Sequence, residues 1–172
     1  MKWILWGIVF AFCFFFLDRW FAATMLHYLF LQIPVFISLG WVSGSWCPSK
    51  PADSGASPII FLIGSLIFWM IPRSMDLCFF SHGLRIIMRL DLLTSGFWLG
   101  SSFKSVRWEI KAAFCFFLIA MFLSSGFVFF QFKTLFCSVY TLEQQKTAGE
   151  FLVGFSLFWL LSLTAVGLLT LP

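Results

Sequence analysis

Met75, Cys78 and His82 stand three and four residues apart. On one continuous helix that spacing lays all three side chains on a single face. A thioether, a thiol and an imidazole are ligand types that suit Cu(I). The same residues also serve as ordinary packing, since Met and Cys behave as apolar side chains in membrane helices, and Ser81-His82-Gly83 is a point where a helix can break. Copper is the metal this set would take, and none is expected to stay bound to the isolated chain. His27, within TMLHYLFLQIP (Thr24 to Pro34), is a second candidate ligand. A histidine at membrane depth marks a functional position or a hydrogen bond to a neighbouring helix. Gln32 and Pro34 beside it imply a kinked, polar-lined segment.

Charged residues inside the apolar runs form two further sets. Pro72 removes a backbone hydrogen bond and bends its helix, and Arg73 and Asp76 follow it with the spacing of a pair along one face. The alternative is a helix end with a snorkelling Arg. Arg85 and Arg89 make a cationic stripe one turn apart, with Asp91 the nearest anion in sequence. At membrane depth such groups need partners, whether an internal ion pair or lipid headgroups. No nucleophile stands with a base, no Gly-rich phosphate loop occurs, and no pair of carboxylates sits at helical spacing. His27 and His82, two isolated histidines, do not make a haem-ligand pattern. The chain is expected not to be an enzyme.

The elements that must position these residues are set by composition. The chain has 172 residues, of which 61% are hydrophobic, 22% aromatic and only 10% charged. Its mean hydropathy is +0.99. Soluble domains carry about a quarter charged residues, so this chain has too few polar groups to cover a water-facing surface. The expectation is an all-α integral membrane protein, a single helical domain over 1–172. Continuous apolar runs without alternation argue against a barrel. The net charge of +4 is spread along the chain, and no basic block suggests nucleic acid. Five cysteines (Cys13, Cys47, Cys78, Cys115 and Cys137) show no CxxC spacing, so neither a zinc ribbon nor a thioredoxin-like site is indicated.

Six apolar segments are expected as transmembrane helices, over approximately 3–17, 24–43, 58–80, 84–100, 110–130 and 148–171. A span needs ~20 residues; the first and fourth are short and rely on tilt, snorkelling or partner contacts. All must be helical, because lipid leaves no other way to satisfy the backbone. The N-terminus has Lys2 and then an apolar core, like a signal peptide, but Phe21-Ala22-Ala23 makes a poor cleavage site, so a retained first helix is expected. Total Lys and Arg do not decide orientation; the Lys104, Arg107 and Lys111 cluster places its loop, and hence the N-terminus, inside. Helix parity then puts the loops after the first, third and fifth segments on one outer face.

The fifth of these loops holds a polar run, VYTLEQQKTAGEF (Val139 to Phe151), between two very apolar segments. Tyr140-Thr141-Leu142-Glu143-Gln144-Gln145-Lys146-Thr147-Ala148-Gly149, leading into an apolar helix, resembles a motif of the CtaG-type cytochrome c oxidase assembly factors. There a Tyr precedes a Leu-Glu-Asp-Gln-like run and an Ala-Gly at a helix start. LDRWFAATMLHYLFLQIPVFISLGW, Leu17 to Trp41, resembles the family's Leu-Asp segment, His-rich helix and Pro-containing run. FWMIPRSMDLCFF, Phe68 to Phe80, with SGFWLG, Ser95 to Gly100, resembles its Trp-x-x-Pro segment and later Leu/Gly helix. The residues that carry the resemblance are Asp18, Pro34, Pro72, Arg73, Asp76, Tyr140, Glu143, Gln144, Gln145 and Gly149. The chain departs from the pattern where Gln144 replaces the family's Asp, where Thr24 and Tyr28 stand in place of histidines beside His27, and where the later histidine is displaced to His82.

The resemblance implies a bacterial inner-membrane protein that helps build, or associates with, a copper-containing membrane redox enzyme. The alternative, motivated by the thinned ligand set and the 26 Phe residues, is a structural accessory subunit of such a complex, holding neighbouring helices by packing and binding no metal; the assembly reading is preferred. Membrane lipid and redox-complex subunits are the expected partners. A transporter reading lacks paired ionisable residues on separate helices.

Overall fold

A computed structural model of the chain describes Trp20 and residues 23–47, 56–131 and 136–170, with side chains in the last helix through Thr164. The first apolar segment, 3–17, and Asp18 lie outside the described residues. The described residues are all-helical and fall into two compact units, Met1–Val106 and Arg107–Pro172.

Among its described residues the first unit holds four α-helices: α1 (Met25–Trp46), α2 (Ser57–Met70), α3 (Pro72–Phe80) and α4 (His82–Ser102). Thr24 caps α1, its hydroxyl accepting the His27 N–H at 3.2 Å. The helix then widens into a π turn over Tyr28–Gln32. Pro34 accounts for this: it has no N–H to give the preceding turn, and its ring crowds that turn's carbonyl, so the ladder loosens just before it. The expected kink is thus a π turn.

The third apolar segment is two helices, not one. Ile71 is extended (ψ 129°), the conformation that the ring of a following proline imposes. Pro72 then opens α3, and the axes of α2 and α3 differ by 73°. A second break follows at Ser81, whose hydroxyl accepts the Leu84 N–H at 3.4 Å and starts α4.

Glycines bring α1 and α4 together. A Cβ on Gly96 or Gly100 would collide with the carbonyl oxygen of Ile37 or Trp41, and one on Gly40 or Gly44 with that of Leu93 or Phe97. Each helix therefore carries a Gly-x-x-x-Gly edge that admits the other's backbone. The contacts also fix direction. Tyr28 meets Met88, Ile37 meets Gly96 and Trp41 meets Gly100, so both chains advance together and the helices are parallel. α2 runs the other way along α4, pairing Phe61 with Trp98, Ser65 with Ser95 and Trp69 with Asp91. The unit is an up–down–up arrangement. The start of α1 and the junction of α3 with α4 lie at one end of it.

The second unit is a helical hairpin of α5 (Trp108–Gln131) and α6 (Leu142–Thr170). The two are antiparallel and cross where Gly126 and Gly149 touch, with Phe122 against Phe155 one turn away. α6 starts six residues before the apolar segment expected at 148, because the polar run itself is helical.

Among the described residues, three helices are long and apolar enough to cross a membrane: α1, α5, and α6 over Leu142–Thr164. The bent α2–α3 pair makes a fourth if it is one crossing. α4, at 21 residues, is only slightly shorter than these, but Arg85, Arg89 and Asp91 occupy its first half. It nevertheless runs parallel to α1 and packs directly against it. Large apolar side chains make up much of the outer surface, while a few polar ones are enclosed. Phe80, Phe158 and Leu161 are exposed at 74%, 67% and 68%, while Arg89 and Gln32 are exposed at 2% and 1%. Apolar side chains outside and polar ones inside suit a lipid surround.

Candidate functional site

The inward polar residues of the first unit form a layer. On α4, Arg89 is enclosed, its guanidinium 5.5 Å from the centre of the Phe36 ring of α1. Gln32 of α1 is equally buried, and its side-chain nitrogen has no hydrogen-bond partner among the described residues. Asp91, two residues beyond Arg89, turns toward α2 instead. The Trp69 indole donates to its Oδ2 at 2.7 Å. One turn further, Ser95 and Ser65 meet at 3.1 Å across the same seam, and the Ser95 hydroxyl donates back to the Asp91 carbonyl at 2.7 Å. A buried polar group is tolerated only when it is hydrogen-bonded, and this ladder ties α2 to α4.

The sulfur residues lie toward the end of the unit where α1 and α4 begin. Met75 and Cys78 are buried on α3. His82 is exposed and belongs to α4. The single helical face expected for Met75, Cys78 and His82 does not exist, because Ser81 ends one helix and caps the next. What faces Cys78 instead is Tyr28, whose hydroxyl reaches the thiol and donates to Met88 Sδ at 2.9 Å. Arg85 closes the end of α3, donating from Nε to the Cys78 carbonyl at 3.1 Å and from Nη2 to the Phe79 carbonyl at 2.8 Å. A cation on the last carbonyls of a helix is a favourable C-terminal cap. His27 is occupied apart from this set: its ring stacks on Trp20 at 4.6 Å, with Nδ1 3.2 Å from the Trp20 carbonyl. Among the described residues no three His, Cys, Asp or Glu side chains gather as a metal site. Of the other motif residues here, Pro34 and Arg73 are exposed, and Asp76 and Pro72 half-buried.

In the second unit the polar run builds a different feature. Thr141 caps α6 by accepting the Gln144 N–H at 3.3 Å. Gln145 is buried and ties the preceding loop. Its Oε1 accepts the Phe136 N–H at 3.1 Å, and its Nε2 donates to the carbonyls of Cys137 and Tyr140, each at 3.0 Å. Cys137 and Tyr140 are buried beneath it, and Glu143 is exposed in the first turn of α6. Gly149 provides the crossing with α5. Farther along, α5 and α6 part around an apolar groove of about 240 Å³ between Cys115, Phe122, Phe155 and Trp159.

No family model, no curated protein and no solved structure matches the chain. Its chemistry rests on these positions alone. From sequence, Trp69 enters only as the Trp of the Trp-x-x-Pro segment and Gly96 and Gly100 only within SGFWLG, and neither they nor Gly40 and Gly44 are read as packing positions. The glycines carry a signal, the Gly-x-x-x-Gly spacing on two apolar segments. The bond from Trp69 to Asp91 carries none, since the partner lies 22 residues away on another helix.

Proposed function

We propose that this chain is a non-catalytic membrane protein that works by helix packing, as an accessory subunit of a membrane redox complex. The observation that carries the packing reading is the α5–α6 hairpin. Only 17% of the best apolar window of α5 and 22% of that of α6 is buried, against 44% for α1. Both helices turn Phe-rich surface outward, with Phe116, Phe127, Phe130, Phe151 and Phe158 all exposed. Such a surface offers area to other helices and holds no reactive group. The redox character of the complex, and its place in a bacterial inner membrane, come from the resemblance of the Tyr140–Gly149 run and its companions to CtaG-type factors.

A second reading, participation in copper-enzyme assembly, draws support from the Tyr28, Cys78 and Met88 contact, which places a thiol and a thioether about one hydroxyl. Against it, His27 and His82 stand apart from that contact. Affinity purification of the tagged chain in mild detergent, with mass spectrometry of what accompanies it, separates the two. Redox-complex subunits in fixed stoichiometry support the accessory role. Transient, substoichiometric capture supports assembly. Recovery of the chain alone opposes both.

A further inference from the structure

Asp91 stands about midway along α4, nine residues from His82 and eleven from Ser102, or roughly 13 and 16 Å at 1.5 Å per residue. Its carboxylate is part-buried, so one side of it reaches the surface of the unit. Apart from Thr94, whose hydroxyl is turned back onto the Asp91 carbonyl, that surface is apolar: Ile87, Leu90 and Trp98 of α4 and Phe61 and Phe68 of α2 are exposed. Among the described residues its only side-chain partner is Trp69, whose indole N–H occupies Oδ2 and leaves Oδ1 without a donor. Arg89 does not answer it. Two residues on a helix differ by about 200°, and Arg89 points to Phe36 of α1 while Asp91 points to α2. A carboxylate at this depth is costly unless it is matched by opposite charge.

We infer that Asp91, held by Trp69, is the docking point for a lysine or arginine carried at similar depth by a transmembrane helix of another protein. This gives the packing function proposed above a second contact surface, on the first unit, and rests on that reading. Charge complementarity selects the occupant. A cation supplies both the missing donor at Oδ1 and the compensating charge, and the surrounding Ile87, Leu90 and Trp98 take the apolar flank of the incoming helix. The Trp69 indole is a positioning group: it fixes the carboxylate at the mouth of the α2–α4 seam before the partner arrives.

The test uses a defined probe. The full chain, labelled with a donor fluorophore, is placed in phosphatidylcholine vesicles with an acceptor-labelled polyleucine helix that has one central Lys, or Leu at the same site. The Lys helix is expected to associate roughly ten-fold more tightly than the Leu helix, a difference of about 1.4 kcal/mol. Asp91→Asn should reduce it to the level of the Leu helix, Trp69→Phe should weaken it several-fold, and Glu150→Gln should leave it unchanged. Circular dichroism confirms that each variant is helical, and Trp69→Phe keeps the test in force if Asp91→Asn does not fold. Equal association of the two probes, or a Lys preference that survives both substitutions on the α2–α4 seam, overturns the inference. Because the probe is synthetic, that result leaves the co-purification outcome, and with it the packing function, to stand or fall separately.

Discussion

Gly96 of α4 lies directly against the backbone of Ile37 in α1, close enough that any Cβ on Gly96 would strike the Ile37 carbonyl oxygen. Gly100 repeats the relationship one turn on at Trp41, and Gly40 and Gly44 return it from α1. The fold of the first unit depends on this seam, since it sets the parallel register that brings the polar layer together.

Gly96→Leu should therefore separate α1 from α4. Backbone atoms, unlike side chains, have no rotamer to yield, so the destabilisation should reach at least about 3 kcal/mol. Gly64→Ala is the comparison. A Cβ there meets nothing within 4 Å, and alanine is the better helix former by about 1 kcal/mol, so that variant should be neutral or slightly more stable. Thermal unfolding in detergent reads both. Equal melting of the two variants would remove the seam from the account.

Gln145→Ala should release the loop from Phe136 to Tyr140. The substitution deletes three hydrogen bonds and strands two carbonyls and an N–H, at a cost of about 2–4 kcal/mol. Cys137, fully buried in the native chain, should become reactive to maleimide when the other four cysteines are replaced by serine. A rate of labelling unchanged from the Gln145 chain would show that the amide does not hold the loop.

Much of this was readable in the residues. The apolar runs announce the helices, Pro72 announces the break after Ile71, and Thr141 with Gln144 three residues later has the spacing of a helix cap. The Met75, Cys78 and His82 alignment failed for a local reason: the Ser81 hydroxyl takes the Leu84 N–H, and a helix capped at that point cannot also continue through it. The job of Gln145 was hidden because its partners lie five to nine residues upstream in an irregular loop. Tyr28 meeting Met88, 60 positions apart, depends on the α1–α4 register, which no single segment encodes.

Copper loading should distinguish packing from metal handling. With His82 exposed on a separate helix and His27 stacked on Trp20, the purified chain, reduced and exposed to Cu(I), should retain far less than one equivalent by elemental analysis. His82→Ala should change nothing. Near-stoichiometric copper that is lost in Cys78→Ser and kept in Cys115→Ser would favour the assembly reading, since a hydroxyl is a poor soft ligand.

The most direct test of the proposal that the first unit crosses the membrane up, down and up through α1, α2–α3 and α4 is side-specific labelling of single cysteines in intact vesicles. Three chains suffice: native Cys47 alone, Gly83→Cys alone and Ser105→Cys alone. Parallel α1 and α4 with an antiparallel α2 between them predict that positions 47 and 105 react with an impermeant maleimide from one side and position 83 only from the other. Labelling of positions 47 and 83 from the same side would mean that α2 and α3 dip into the membrane and return, and it would contradict the account.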